Sequence, residues 1–266
     1  MCFKYEDFLH DYDEEEDYLG REDELSFVYS LDRAYAGDVE YMRVLGDVYS
    51  TRGHGVKTDF NKAIFWYEKA VESGDIYSAP KLADIYSEYA DRGFPEYYEK
   101  AFALYKAAAE EGIVNAISRL GKAYLKGDGC ERDFAKARGL LERAADGGER
   151  EACYLYAHIL KDEGAENWYG YLETSARSSY GKACWEIICD HSDEISDKQF
   201  LMCLVQAAND SSSGYNPVEA QLMAADCFMH GKRVKKDESA AKSYYTYAAE
   251  RGSYLAKKAL EKYFGN

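Results

Sequence analysis

The residues of this 266-residue chain best equipped for chemistry are its seven cysteines and five histidines, and their spacing offers them little to do. No two cysteines form the close C-x-x-C pair of a structural zinc site. Cys153, Cys184, Cys203 and Cys227 fall within helical patterns and read as small buried hydrophobes. His10, His54, His158, His191 and His230 lack the i, i+4 spacing that puts two imidazoles on one helical face. Gly53-His54-Gly55 and Gly127-Asp128-Gly129 look like fragments of a phosphate-binding loop. Neither follows a strand pattern or runs into Gly-Lys-Ser/Thr, so both read as turns. Nucleophilic catalysis needs a nucleophile, a base and an oxyanion site converging on one pocket, and no such set is visible in the spacing. The expectation is a protein that is not an enzyme, with no catalytic residue, metal or cofactor.

Composition narrows the classes further. The chain is 47% hydrophobic with only three prolines, which is material for a helical core rather than a disordered tail. Forty-nine acidic against 33 basic residues give a formal charge of −16, which would repel a phosphate backbone or an anionic membrane. Eleven of the carboxylates fall within residues 1–24, against only Lys4 and Arg21. The start lacks the basic and apolar runs of a signal peptide, and no run of about 20 apolar residues could span a bilayer. A cytoplasmic protein with no nucleic-acid or membrane partner is expected.

What the chain does show is a period. Glycines fall at Gly37, Gly74, Gly112, Gly148, Gly181, Gly214 and Gly252, separated by 37, 38, 36, 33, 33 and 38 residues. Spacing of this size marks a repeat architecture. Each clear unit holds two helical patterns. In the first, Tyr41, Leu45 and Tyr49 match Ala116, Leu120 and Tyr124, then Ala220, Ala224 and Phe228, all at i, i+4, i+8 on one face. A Gly-containing loop follows, then Asp59, Asp133 or Asp237, placed to cap the second helix. That helix presents Ala63, Trp66 and Ala70, or Ala137, Leu140 and Ala144. The alanine pairs Ala108-Ala109, Ala144-Ala145 and Ala248-Ala249 let helices approach closely, and the glycine ends each unit in the left-handed conformation. Residues 149–181 and 182–214 follow the pattern more weakly. The expected fold is all-α: a right-handed superhelical α-solenoid of about six helix-turn-helix repeats, one continuous stack over 24–266 behind an acidic arm at 1–23. Terminal half-repeats, Glu24 to Ala36 and Tyr254 to Phe264, should cap it.

The order Leu45-Gly46-Asp47-Val48-Tyr49, Asp59, Lys62-Ala63, Trp66-Tyr67, Ala70, Gly74 resembles the Sel-one-like repeat, a relative of the tetratricopeptide repeat. Leu120-Gly121-Lys122-Ala123-Tyr124, Asp133, Lys136-Ala137, Ala144-Ala145 and Gly148 repeat it. Ala83, Ala157, Ile188 and Ala225 stand where the family has glycine in the first helix, and the fourth repeat lacks the aspartate and the Lys-Ala pair. The resemblance implies a non-catalytic binding scaffold working through the concave side of its superhelix. Several bacterial relatives carry a periodic cysteine pair that closes a disulfide; this sequence has none.

In stacked helix pairs the first helices usually line the inner surface. Counting from the Leu of Leu-Gly, positions −5, −2, +2, +5 and +6 should face that groove. These are Glu40, Arg43 and Asp47; Tyr77 and Asp84; Asn115, Ser118 and Lys122; Glu151, Tyr154 and His158; Lys182 and Trp185; and Glu219, Asp226 and His230, with Lys258 and Lys262 from the terminal helix. His158 and His230 offer groove contacts rather than a metal site. Tyr154 and Trp185 are the candidate anchors, since interface energy concentrates in Trp, Tyr and Arg; both could equally fill gaps in the core. The expected function is a scaffold or adaptor holding a partner protein or peptide. The alternative is an immunity-type inhibitor that covers a basic toxin or nuclease with carboxylates. The interleaved aromatics and acids of Phe3 to Asp17 read either as a solvated arm or as a dock for a basic partner.

Overall fold

The computed structural model describes residues 3–4, 7–8, 21–51, 56–211 and 215–265, with the backbone alone for 21–25. Among them every extended element is helical. There are fourteen helices: α1 (Arg21–Tyr35), α2 (Val39–Ser50), α3 (Phe60–Glu72), α4 (Ser78–Asp91), α5 (Tyr97–Glu110), α6 (Val114–Lys126), α7 (Phe134–Asp146), α8 (Arg150–Asp162), α9 (Trp168–Arg177), α10 (Gly181–His191), α11 (Asp197–Asn209), α12 (Val218–His230), α13 (Glu238–Glu250) and α14 (Tyr254–Phe264). None is long and apolar enough to cross a membrane.

Two compact units divide the chain, Met1–Leu140 and Leu141–Asn266, and the boundary falls inside α7. In the first, α2 packs on α3 and α4 on α5, while α1, α3 and α5 each pack on the helix that follows. In the second, α8 with α9, α10 with α11, and α12 with α13 form the hairpins, joined by α9 on α10, α11 on α12 and α13 on α14. Helices that pack chiefly on their chain neighbours are the mark of a solenoid: each hairpin buries only part of its apolar face alone and needs the next one to finish the job.

The sequence features that build the hairpins are where the period puts them. Asp59 caps α3 through the Asn61 and Lys62 amides, Asp133 accepts from the Lys136 amide, and Asp237 from Ala240. In each case the aspartate's own N–H closes the loop on the last turn of the helix before it, donating to Tyr49 O at 2.9 Å, Tyr124 O at 3.1 Å and Phe228 O at 2.9 Å. Gly127 and Gly129 have positive φ, as turn residues do; Gly53, His54 and Gly55 lie outside the described residues. Ala108, Ala144 and Ala248 are fully buried, so these second helices do use small side chains for close approach.

Some details differ from the sequence reading. In α7 the buried partner of Ala137 and Ala144 is Leu141; Leu140 is half exposed. An i, i+3, i+7 count picks Leu140, whereas the observed helix rotation buries the i+4 residue, Leu141. Gly181 does not end a helix. Ser179 takes the left-handed turn after α9 with φ 61°, and Gly181 opens α10. Its N–H donates to Asp210 Oδ2 at 2.7 Å, and a Cβ there would stand 2.8 Å from Asp210 Cγ, so glycine is needed for close approach rather than for its φ. Gly214 lies outside the described residues.

The N-terminal segment is partly held by the first unit. Phe8 is fully buried, its ring 5.3 Å from Trp66, 5.7 Å from Phe65 and 5.8 Å from Tyr49. Lys62 Nζ donates to the Asp7 carbonyl at 2.7 Å and sits 5.1 Å above the Phe8 ring. Residues 9–20, which carry most of the acidic run, lie outside the described residues.

Candidate interaction surface

The first helices, α2, α4 and α6 in one unit and α8, α10, α12 and α14 in the other, carry the residues singled out by the repeat count. Their rows behave differently. At −5, Glu40, Tyr77, Asn115 and Glu219 are exposed, and Glu151 and Lys182 half exposed. At −2, Ser118 is only 2% exposed, contrary to the expectation that it faces a groove. Arg43, Tyr154 and Trp185 in the same row are half buried. The −2 position thus turns under toward the neighbouring repeat: Arg43 Nη1 reaches Asp75 Oδ1 at 3.1 Å, in the turn that precedes α4.

Position +2 forms a ladder. Asp47 meets Lys81 Nζ at 2.6 Å, Asp84 meets Arg119 Nε at 3.1 Å, and His158 meets Glu186 Oε2 at 2.9 Å. In every case the partner sits one residue before the Leu position of the next first helix. The α8–α10 rung keeps the geometry but reverses the charge. The aspartates are also wired inward, because Tyr67 and Tyr105 donate to Asp47 and Asp84 at 2.6 Å, and Tyr245 donates to Asp226. Asp47 and Asp84 therefore tie each first helix to its own second helix and to the next repeat. Their side chains remain 41% and 47% exposed, so a partner could still reach them, but as carboxylates already offset by a cation. Lys122 is half exposed, and Asp226 and His230 are exposed, with the His230 ring 5.8 Å from Tyr263.

Charge shifts follow burial. Burial, then the neighbouring carboxylate, pushes the Tyr67, Tyr105 and Tyr245 phenols far above the usual tyrosine range. The Tyr154 phenol rises to about 12 for the same reasons, with Glu186 as the carboxylate. For Glu186, burial acts upward, yet hydrogen bonds from His158 and Lys161 outweigh it and hold the carboxyl below its usual value. A folded-state tyrosine pKa above the unfolded value of about 10 gives stability that is whole below pH ~10 and is lost as pH rises toward the folded value. Alkaline unfolding followed by tyrosinate absorbance should show a slow class of tyrosines that ionises together with loss of helicity. Titration of all 26 near pH ~10 with helicity intact would contradict this wiring.

The two candidate anchors are intermediate. Tyr154 lies edge-on to His158 at 4.6 Å and tilted on Tyr180 at 5.3 Å, and both it and Trp185 pack against the apolar cluster around Leu172, Ile187 and Leu204. Of the aromatics in these rows Tyr77 is presented most freely, 63% exposed, and Tyr254 at the start of α14 is 67% exposed. Two hollows that the sequence did not signal open in the second unit. One, of about 800 Å³, lies between α10 and α12, lined by Ile188, Phe200, Met223 and Cys227 with Lys232 and Arg233 beside them. The other, of about 500 Å³, lies between α9 and α11.

Helix hairpins repeating in register, with their inter-repeat contacts made by equivalent positions, define an α-solenoid repeat protein. The Sel1 repeat model matches residues 39–75, 89–113, 114–149 and 218–253, and the chain belongs to that family. The stretch between the last two matches is the one whose repeats are weakest in sequence. A crystal structure of a Sel1 repeat protein from Oxalobacter formigenes is similar, with TM-score 0.54 and 20% identity over 92% of this chain and 82% of that one. A protective antigen of uropathogenic Escherichia coli with an SLR fold matches at TM-score 0.51 and 21% identity, over 90% and 60%. Among curated relatives, a Neisseria meningitidis protein is 27% identical over 205 residues, 76% of this chain and 42% of that protein. The ERAD-associated E3 ubiquitin-protein ligase component HRD3A of Arabidopsis thaliana is 29% identical over 114 residues, and the chitin synthase regulator SKT5 of Saccharomyces cerevisiae 28% over 122. Those matches cover 39% and 46% of this chain but only 17% and 18% of the two relatives.

Proposed function

We propose that this chain is a non-enzymatic scaffold or adaptor that holds a partner protein on the exposed face of its first helices. The observation that carries the reading is Tyr77, a phenol ring 63% exposed at the start of α4, in the same repeat row as the exposed Glu40 and Asn115. An amphipathic ring offered to solvent among polar neighbours is the kind of group that anchors protein interfaces. Two relatives named as a ligase component and a synthase regulator act alongside other proteins, which supports a protein partner here. The reading places the chain in the cytosol, with no nucleic acid or membrane as ligand.

The inhibitor of a basic protein is the second reading, favoured by the net charge of −16. On α2 and α4 it draws little support, because Asp47 and Asp84 are already met by Lys81 and Arg119. Capture of partners on full-length protein at low and high salt separates the two. Several partners retained in salt support the scaffold; a single basic partner bound one to one and released by salt would replace it with the inhibitor.

A further inference from the structure

The cleft between α9 and α11 stands where the first unit has a filled site. In that unit the consecutive second helices α1 and α3 hold Phe8 between Tyr35, Phe65 and Trp66, with Lys62 above it. Counted back from the buried alanines Ala70 and Ala207, the residues Lys62, Phe65 and Trp66 correspond to Gln199, Met202 and Cys203. Counted back from the left-handed residues Gly37 and Ser179, Tyr35 corresponds to Arg177. Gln199, Met202, Cys203 and Arg177 all line the second unit's cleft. Replacing Phe65 and Trp66 by Met202 and Cys203 removes ring volume, and there the hollow stays open at about 500 Å³, within the range of about 300–1,000 Å³ typical of ligand sites.

The filled site shows what chemistry fits. Phe8 arrives on a compact turn: the Asp7 N–H donates to Lys4 O at 3.0 Å, and the Lys4 N–H to Asp7 Oδ2 at 2.8 Å. That turn sets the Phe3 and Phe8 rings 5.6 Å apart. The open cleft has a matching character. Ala176, Ile187 and Cys203 make an apolar floor, Ile195 and the 38%-exposed Met202 border it, and Lys198 stands exposed beside it. Met sulfur and alkyl groups take aromatic rings readily, and a lysine at the mouth favours carboxylates on the incoming turn.

We propose that this cleft is a docking site for a short segment of a partner protein that presents an aromatic ring beside a carboxylate, as Phe8 and Asp7 do within their own chain. It lies between second helices and is separate from the first-helix face, so it stands or falls independently of the scaffold surface described above.

The probe is a fluorescein-labelled decapeptide with the sequence of residues 1–10, Cys2 replaced by Ser, added to the full chain and followed by fluorescence anisotropy. Because Phe8 already fills the first unit's site in cis, the peptide should bind the second unit. Met202→Glu, at a 38%-exposed position, should weaken it at least tenfold with helicity unchanged, and Lys198→Glu should weaken it and flatten its salt dependence. A peptide with Phe8 replaced by Ala should not bind. Absence of binding at millimolar peptide, or equal binding by wild type and Met202→Glu, would overturn the proposal; the second result would mean exchange with the cis segment. Concentration-dependent dimers of the wild type that Met202→Glu abolishes would make a second copy the occupant and overturn the partner reading.

Discussion

Phe8→Ala is expected to lower the unfolding free energy by about 3 kcal/mol, the low end of about 3–5 kcal/mol found for emptying a buried phenylalanine site. The ring is fully buried among Tyr35, Tyr49, Phe65 and Trp66, with the Lys62 ammonium against its face. Removing it leaves a hollow walled by stiff rings that cannot collapse, so the transfer and cavity costs add. Denaturant unfolding monitored by helicity and by tryptophan fluorescence checks it. A shift within about 0.5 kcal/mol, as for a surface residue, would mean that the segment is a solvated arm.

Gly46→Ala should destabilise the chain although alanine is the better helix former by about 1 kcal/mol. A Cβ at Gly46 would lie 2.8 Å from Tyr67 Cζ and nearer still to Cε1 and Cδ1. The ring cannot swing aside easily, being 1% exposed and held by its hydroxyl to Asp47 at 2.6 Å and Ser50 at 3.2 Å. Overpacking of this kind costs about 1–3 kcal/mol. Gly139→Ala is the control. It sits mid-helix in α7 with nothing within 4 Å of its Cβ, and should gain about 1 kcal/mol by helix propensity. Opposite signs in thermal unfolding separate a glycine kept for packing from one that is merely tolerated. Stabilisation by both would show that Tyr67 yields.

These two residues also mark how far the sequence could be read. The period, the Asp59, Asp133 and Asp237 caps and the terminal half-repeats were legible because each rests on a local rule: i, i+4 burial, a carboxylate before a helix, a glycine after one. Gly46 was visible as a motif residue, but that Tyr67 imposes it is a matter of contact between helices. The +2 ladder was half visible. Asp47, Asp84 and His158 were picked as outward-facing, yet their pairing with Lys81, Arg119 and Glu186 depends on how one repeat sits on the next, which no single-repeat count contains. Phe8 was missed because its neighbours in sequence are carboxylates, and the acidic run outweighed one ring whose partners lie on α1, α2 and α3. The cleft between α9 and α11 arises from what is absent: smaller side chains at positions that carry rings in the first unit.

The central claim, that the first-helix face holds a protein partner, is tested most directly at Tyr77, whose exposure allows truncation without touching the core. Partners captured on full-length protein from its native lysate should be compared with those captured on Tyr77→Ala and on Tyr247→Ala, a 49%-exposed tyrosine on the second helix α13. The account predicts that Tyr77→Ala keeps its helicity and loses a stoichiometric partner, with a cost of about 2 kcal/mol in the affinity measured for that partner, while Tyr247→Ala keeps it. Retention of every partner by Tyr77→Ala, or loss with Tyr247→Ala alone, would contradict it.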